Sequence, residues 1–156
     1  MIIRKADSKD LDLVCRMRLA FLAEMRHIDV DHLSEDFVEV TRSFLSRAIE
    51  ASTMHSWLAE EGGRCLGIVS LILADRPPAI DDFRTREGYI VNMYVDPLIR
   101  RRGVGRSLFD ACIKSAPGFG VRRLFLRATD DGRPMYLTAG FKTDEAWMEL
   151  RLPRPS

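Results

Sequence analysis

An apolar strand that runs into a glycine turn and straight on into a helix fixes the centre of any fold open to this chain. Tyr89 to Ser107 reads Y-I-V-N-M-Y-V-D-P-L-I-R-R-R-G-V-G-R-S. The strand, over 88–95, stops at Asp96-Pro97 because proline cannot continue a hydrogen-bonded ladder. A triple arginine follows, then Gly103-Val104-Gly105, and a helix is expected over roughly 104–116 before Pro117-Gly118 ends it. Residues 121–128 read as the next strand. A helix crossover between two strands makes them parallel neighbours in nearly every case, so the rest of the sheet is built around 88–95 and 121–128.

The remaining elements are read from periodicity and caps. Residues 2–6 are a short strand. Asp7 caps a helix whose apolar positions include Leu11, Val14, Cys15, Leu19, Leu22 and Met25. Residues 27–33 are a loop carrying His27 and His32. Ser34 caps a second helix, striped by Phe37, Val40, Phe44, Leu45 and Ile49. Residues 54–60 and 64–74 form a hairpin across Gly62-Gly63. A mobile loop is expected over 75–87. After the fifth strand, Asp130 or Asp131 is expected to cap a short helix over 132–138, and residues 141–151 to supply one or two closing strands. The order β-α-α-β-β-β-α-β-α-β(β) predicts a mixed α/β (α+β) fold. It is a mostly antiparallel twisted sheet of six to seven strands with helices on both faces. At 156 residues this reads as a single domain, 1–156, with enough apolar content (46%) for a core.

A formal net charge of +1 gives no reason to expect nucleic acid or a membrane surface as partner. No signal peptide and no membrane-length apolar run is present, so the default location is cytoplasmic. Cys15, Cys65 and Cys112 have neither metal nor disulfide spacing, and the three histidines show no ligand pattern, so no metal is expected. His27 and His32 read as loop residues and His55 as a strand residue. Cys15 and Cys112 read as core.

Positive charge is instead local. Arg100, Arg101, Arg102 and Arg106 surround the turn at Gly103, Val104 and Gly105. Glycines let backbone approach a ligand closely, and the free amides and dipole of a helix start favour an anion. The expected ligand is a phosphate ester or pyrophosphate. The turn is not a P-loop, which needs a G-K-[S/T] ending. Nor is it a dinucleotide fingerprint, whose third glycine would stand at Leu108.

Arg100-Arg101-Arg102-Gly103-Val104-Gly105 resembles R/Q-x-x-G-x-G/A, the acyl-coenzyme A motif of the GNAT superfamily of N-acetyltransferases. Tyr136-Leu137-Thr138-Ala139-Gly140-Phe141 resembles that family's Y-x-x-x-G-F segment, at the place in the element order where the family has it. The resemblance covers residues 1 to about 152 and implies the GNAT fold, with acetyl-CoA as acyl donor. It implies that Arg101 to Arg106, with Ser107 at the helix start, hold the pyrophosphate, and that nearby arginines meet the 3′-phosphate. It implies that Met93, Tyr94 and Val95 offer backbone groups to the pantetheine arm where two parallel strands part. It makes Tyr136 the general acid toward the leaving thiolate. Gly140 and Phe141 are read as structural, a helix cap and a core residue.

The chain departs from the family at two places. Many members carry a glutamate on the fourth strand as general base, and Tyr89 to Asn92 hold no carboxylate. Glu87, Glu24 and a solvent path with Asn92 holding a water stand as candidates. Where many relatives have an asparagine after the fifth strand, this chain has Thr129. The acceptor is expected to be a primary amine of a small molecule or peptide. It is expected to bind among the first two helices, the 75–87 loop and residues 89–92, with Tyr89 and Asn92 in contact. Glu24 would favour a cationic amine. The alternative from another class is a non-catalytic acyl-CoA-binding sensor or scaffold. By resemblance a homodimer is also allowed, exposed edge strands near the C-terminus being its natural contact.

Overall fold

The computed structural model describes residues 1–155 of the chain. Five strands form one sheet: β1 (Ile2–Lys5), β2 (Met54–Glu61), β3 (Arg64–Asp75), β4 (Arg86–Val95) and β5 (Val121–Leu126), in spatial order β1-β2-β3-β4-β5. The first three pairings are antiparallel, and β4 pairs with β5 in parallel. Four α-helices complete the fold: α1 (Leu11–Arg26), α2 (Glu35–Glu50), α3 (Val104–Ser115) and α4 (Arg133–Thr138).

The local causes are those the sequence carries. Asp7 and Asp10 form a reciprocal capping box over the 3-10 turn that opens α1. The Ser34 hydroxyl accepts from the Phe37 amide at the start of α2. Gly62 and Gly63 both hold positive φ, 57° and 77°, which a two-residue hairpin of this hand requires. The guanidinium of Arg4 forks between Asp10 and Glu60 at 2.7–3.0 Å, tying edge strand β1 to its neighbour.

The sheet is covered on both faces. Val14, Leu19 and Leu45 pack with Leu58 and Ile68 beneath α1 and α2. Phe109, Leu108 and Cys112 of α3 pack on Val69, Leu71 and Ile90 from the other side. Cys15 and Cys112 are buried, as their positions predict.

Three expectations need correction. Among the described residues no closing strand follows α4. Residues 142–155 run as coil, tied to β5 by the Trp147 ring edge-on to Phe125 and by an Arg127–Glu149 ion pair at 3.1 Å. Met148, Leu150 and Leu152 stay exposed. With no layer over them, they gain no burial from joining a ladder. The helix after β5 is not capped by Asp130 or Asp131 either. Gly132 stands at its N-cap, and the Thr129 hydroxyl accepts from the Gly132 amide at 3.3 Å. Finally, the 75–87 segment includes the ends of β3 and β4. Its loop proper is held by a 2.6 Å bond from the Arg76 amide to the Thr85 carbonyl and by an Ala79–Asp82 bridge.

Candidate active site

The site begins where β4 and β5 part. Their last paired residues are Ile90 and Leu126, yet β4 continues to Val95 against β3. The backbone of Val91 to Val95 therefore has no strand on its β5 side, and such groups call for a partner. β4 also carries a bulge there. Ser70 pairs with Val91 and Ile68 with Tyr94, so Asn92 and Met93 together oppose Val69. A regular strand sends neighbouring side chains to opposite faces. The bulge instead brings Val91 and Asn92 to the same cavity.

Asn92 sits in the left-handed region at φ 54°, a conformation that asparagine tolerates better than most residues. It is 2% exposed, and both ends of its amide are bonded. Its Oδ1 accepts from Nη1 of Arg18 at 2.6 Å, and its Nδ2 donates to the Ser70 hydroxyl at 3.2 Å. Ser70 in turn meets Ser56 at 2.8 Å. A polar chain thus crosses the α1/α2 face of the sheet, from α1 to β2, and pins the bulge. Burial pushes the pKa of Arg18 down, since no carboxylate among the described residues pairs with it.

Beyond β4, Arg101 and Gly103 both adopt left-handed backbone, φ 65° and 81°. This turns the chain so that α3 starts with Gly103 as N-cap and no capping side chain. The Ser107 amide is the first to reach a helical acceptor, at Gly103. The amides of Val104, Gly105 and Arg106 precede it and are left for a ligand. A Cβ on Gly103 would meet open space, whereas one on Gly105 would press on Met93 and Val95 of β4 at 3.3 and 3.5 Å. Gly105 thus lets the helix start sit down on the parted strand.

The four arginines divide. Arg101 and Arg102 have no hydrogen-bond or ion-pair partner among the described residues. Arg106 pairs along the helix with Asp110 at 2.9 Å. Arg100 donates from Nε to the Val95 carbonyl at 2.9 Å and pairs with Glu24 at 2.7 Å. Glu24 is therefore engaged at the end of α1 rather than free in a pocket.

Tyr136 lies on α4, 6% exposed. Its ring packs on Phe109 at 5.2 Å and Phe141 at 6.3 Å. The Y-x-x-x-G-F spacing is a helix-ending device. The Phe141 amide bonds the Tyr136 carbonyl at 3.0 Å, and the Gly140 amide bonds that of Leu137 at 3.0 Å, with Gly140 left-handed at φ 94°. This is a Schellman motif with its accompanying apolar contact, here Tyr136 against Phe141. The phenol has no hydrogen-bond partner among the described residues, where no buried side-chain oxygen lacks one, so its oxygen is open to solvent. Burial raises its pKa, which keeps the proton on the phenol at neutral pH.

Of the other expected residues, Glu87 lies apart from this centre. It stands at the far end of β4, five residues and about 16 Å of strand from Asn92. It is paired there with Arg122 at 3.0 Å. Tyr89 is paired between Ile72 and Phe125 in mid-sheet, before the strands part. Ser107 and Val104 belong to the first turn of α3, and Thr129 to the turn that starts α4. His55 stacks on Phe119 at 4.2 Å, and His27 and His32 end α1 and a loop turn. A cavity of about 690 Å³ opens between α1, α2 and the bulge, and the 75–87 loop supplies none of its lining.

Arg18 and the bulge were missed in the sequence. Arg18 lies between Val14, Cys15 and Leu22 on the apolar stripe of α1, and a charge at a core position of a helix was the available signal.

The matches to known proteins agree with this geometry. The family model described as "Acetyltransferase (GNAT) family" matches residues 21–141. Two solved structures superpose over nearly the whole chain. One is a predicted acetyltransferase with acetyl-CoA from Clostridium acetobutylicum, at 27% identity, TM-score 0.84 and coverage of 96% of this chain and 95% of that one. The other is a GCN5-related N-acetyltransferase from Ralstonia eutropha JMP134, at 27% identity and TM-score 0.77, covering 96% and 97%. Among curated proteins none matches. Among the described residues no helix is long and apolar enough to cross a membrane. A family match that spans the parted strands, the glycine turn and the α4 cap leaves one conclusion: the chain belongs to the GNAT family of acetyltransferases.

Proposed function

We propose that the protein is an acetyl-CoA-dependent N-acetyltransferase that acts on a primary amine by direct attack in a ternary complex. The observation that carries this reading is the uncapped start of α3 beside an unpaired stretch of β4. The residues present fit coenzyme A. The amides of Val104, Gly105 and Arg106 suit the pyrophosphate, with Arg101 and Arg102 free to approach its phosphates. The backbone of Met93, Tyr94 and Val95 suits the amides of a pantetheine arm, and Thr129 follows just beyond the end of β5. Arg100 joins the phosphate set by exchanging Glu24, an exposed partner worth about 1 kcal/mol or less.

Acetyl-CoA supplies an activated acetyl thioester. In the reaction the amine nitrogen forms a bond to the acetyl carbon, the carbon–sulfur bond breaks, and the thiolate takes a proton from Tyr136. The amine sheds its protons to solvent, because no carboxylate lines the cavity at the bulge, and the Tyr136 phenolate regains one from the same solvent. Much of the rate then comes from holding two substrates in one cleft. A homodimer belongs to this reading as well, by resemblance, and location in the cytoplasm as its default.

The test is thiol release from acetyl-CoA over a panel of amino acids, polyamines, aminoglycosides and peptides, with Tyr136→Phe alongside. The expected result is turnover in the wild type and a kcat about 10²-fold lower in the variant, at unchanged affinity for acetyl-CoA. Equal kcat in the two proteins would remove Tyr136 from the role. The absence of a carboxylate at the bulge favours one other reading, a binding module without catalysis. Tight acetyl-CoA binding with no turnover on any acceptor would establish that reading instead.

A further inference from the structure

The cavity between α1 and α2 has a marked chemical asymmetry. Two cations line it, Arg18 and Arg26, and no carboxylate does. Most of its wall is apolar, with Leu22, Leu33, Phe37 and Phe44 in the lining. Phe44 remains 48% exposed and Phe37 39%, although both lie on the inward stripe of α2.

Arg18 is the odd residue in that wall. A guanidinium has five N–H donors in a planar fork, and one hydrogen bond is formed here, to Asn92. No ion pair among the described residues includes it. The carboxylates that belong to α1 are occupied elsewhere, Glu24 by Arg100 and Asp12 by Arg42. A partly buried cation without a counter-ion carries a desolvation cost that an arriving anion offsets. The fork is also held in place. Asn92, fixed in turn by Ser70, orients it at the bulge where β4 leaves β5. An anion bound on that fork lies beside the strand segment whose free backbone the acyl donor is expected to use.

We propose that the acceptor is an amine that also bears a carboxylate and an apolar body, with Arg18 as the carboxylate anchor and the α1/α2 wall as the seat of the apolar part. This rests on the acetyltransferase reading above. It replaces the cationic acceptor suggested by Glu24, which does not line this cavity. Apolar amino acids are the simplest members of the class.

Two measurements separate this from the reading it rests on. The first compares kcat/KM for L-phenylalanine, L-leucine and L-methionine with that for their amides, in wild type, Arg18→Gln and Arg18→Lys. The free acids should be preferred about 10- to 100-fold, as expected of a charge-assisted contact. Arg18→Gln should erase that preference by raising KM for the acids far more than for the amides, and Arg18→Lys should keep part of it. Amides used as well as acids by the wild type would overturn the proposal. So would an Arg18→Gln variant that loses both alike, because that is what a merely structural arginine would do. If Arg18→Gln does not fold, the wild-type ratio and Arg18→Lys decide.

The second measurement is calorimetric binding of N-acetyl-L-phenylalanine and its amide in the presence of coenzyme A, which needs no turnover. Carboxylate-selective binding that weakens in Arg18→Lys and is lost in Arg18→Gln supports the anion site even if no amine is acetylated. Turnover confined to amines without a carboxylate sinks the site and keeps the enzyme.

Discussion

Asn92 is the residue on which two requirements meet. It must tolerate a left-handed backbone, and its amide must satisfy a buried arginine and a buried serine at once. Asn92→Ala leaves both partners unpaired, at roughly 1–3 kcal/mol each, and keeps a Cβ in left-handed backbone without asparagine's tolerance for it. Asn92→Gly loses the same hydrogen bonds without that strain. Urea unfolding should therefore place Gly above Ala by about 1 kcal/mol, with both well below wild type. Equal stabilities would show that the bulge relaxes when the asparagine leaves. The role of Asn92 was legible only in part. An asparagine inside an apolar strand invites attention, but its bond to Arg18 joins residues 74 positions apart, and no local pattern encodes that pairing.

The α3 start and the α4 end each depend on a glycine held at positive φ, and both motifs were legible because backbone geometry, rather than packing, dictates their spacing. At α4 the Schellman bonds join Tyr136 to Phe141 and Leu137 to Gly140, which fixes where a tyrosine, a glycine and an aromatic residue must fall. At α3, Gly103 stands at φ 81° with open space around its missing Cβ. Gly103→Val therefore adds backbone strain without a clash at its Cβ. The expected result is a loss of about 1–2 kcal/mol in stability and at least a tenfold weaker Kd for acetyl-CoA, read by thermal melting and calorimetry. Normal acetyl-CoA affinity in that variant would mean that the phosphates sit elsewhere. The closing strands were not legible for the opposite reason. Ala146, Met148, Leu150 and Leu152 alternate as a strand would, but alternation is realised only where a second layer covers one face, and none covers this one.

At the scale of the whole molecule, the sheet separates two cores, and the α3 core contains a titratable group with no role in the site. Burial pushes the Cys112 thiol up to about 12 from its ordinary 9.0. Above pH 9 the unfolded chain holds fewer protons than the folded one, so the stability present below that pH falls as pH rises toward 12. Urea midpoints should drop between pH 8 and 10.5, and Cys112→Ala, though less stable throughout, should drop less. An equal fall in both proteins would place the alkaline sensitivity in other groups. Across the sheet from that core, the Glu24–Arg100 pair fastens the end of α1 to the turn that precedes α3. Each partner is about two-fifths exposed, and the bond is weak enough for a polyphosphate to displace. On the acetyltransferase reading this fastener would be undone by the donor itself. Phosphates that claimed Arg100 would leave the end of α1 without its tie to the turn before α3, and the acceptor would then meet a looser chamber wall only after the donor had arrived.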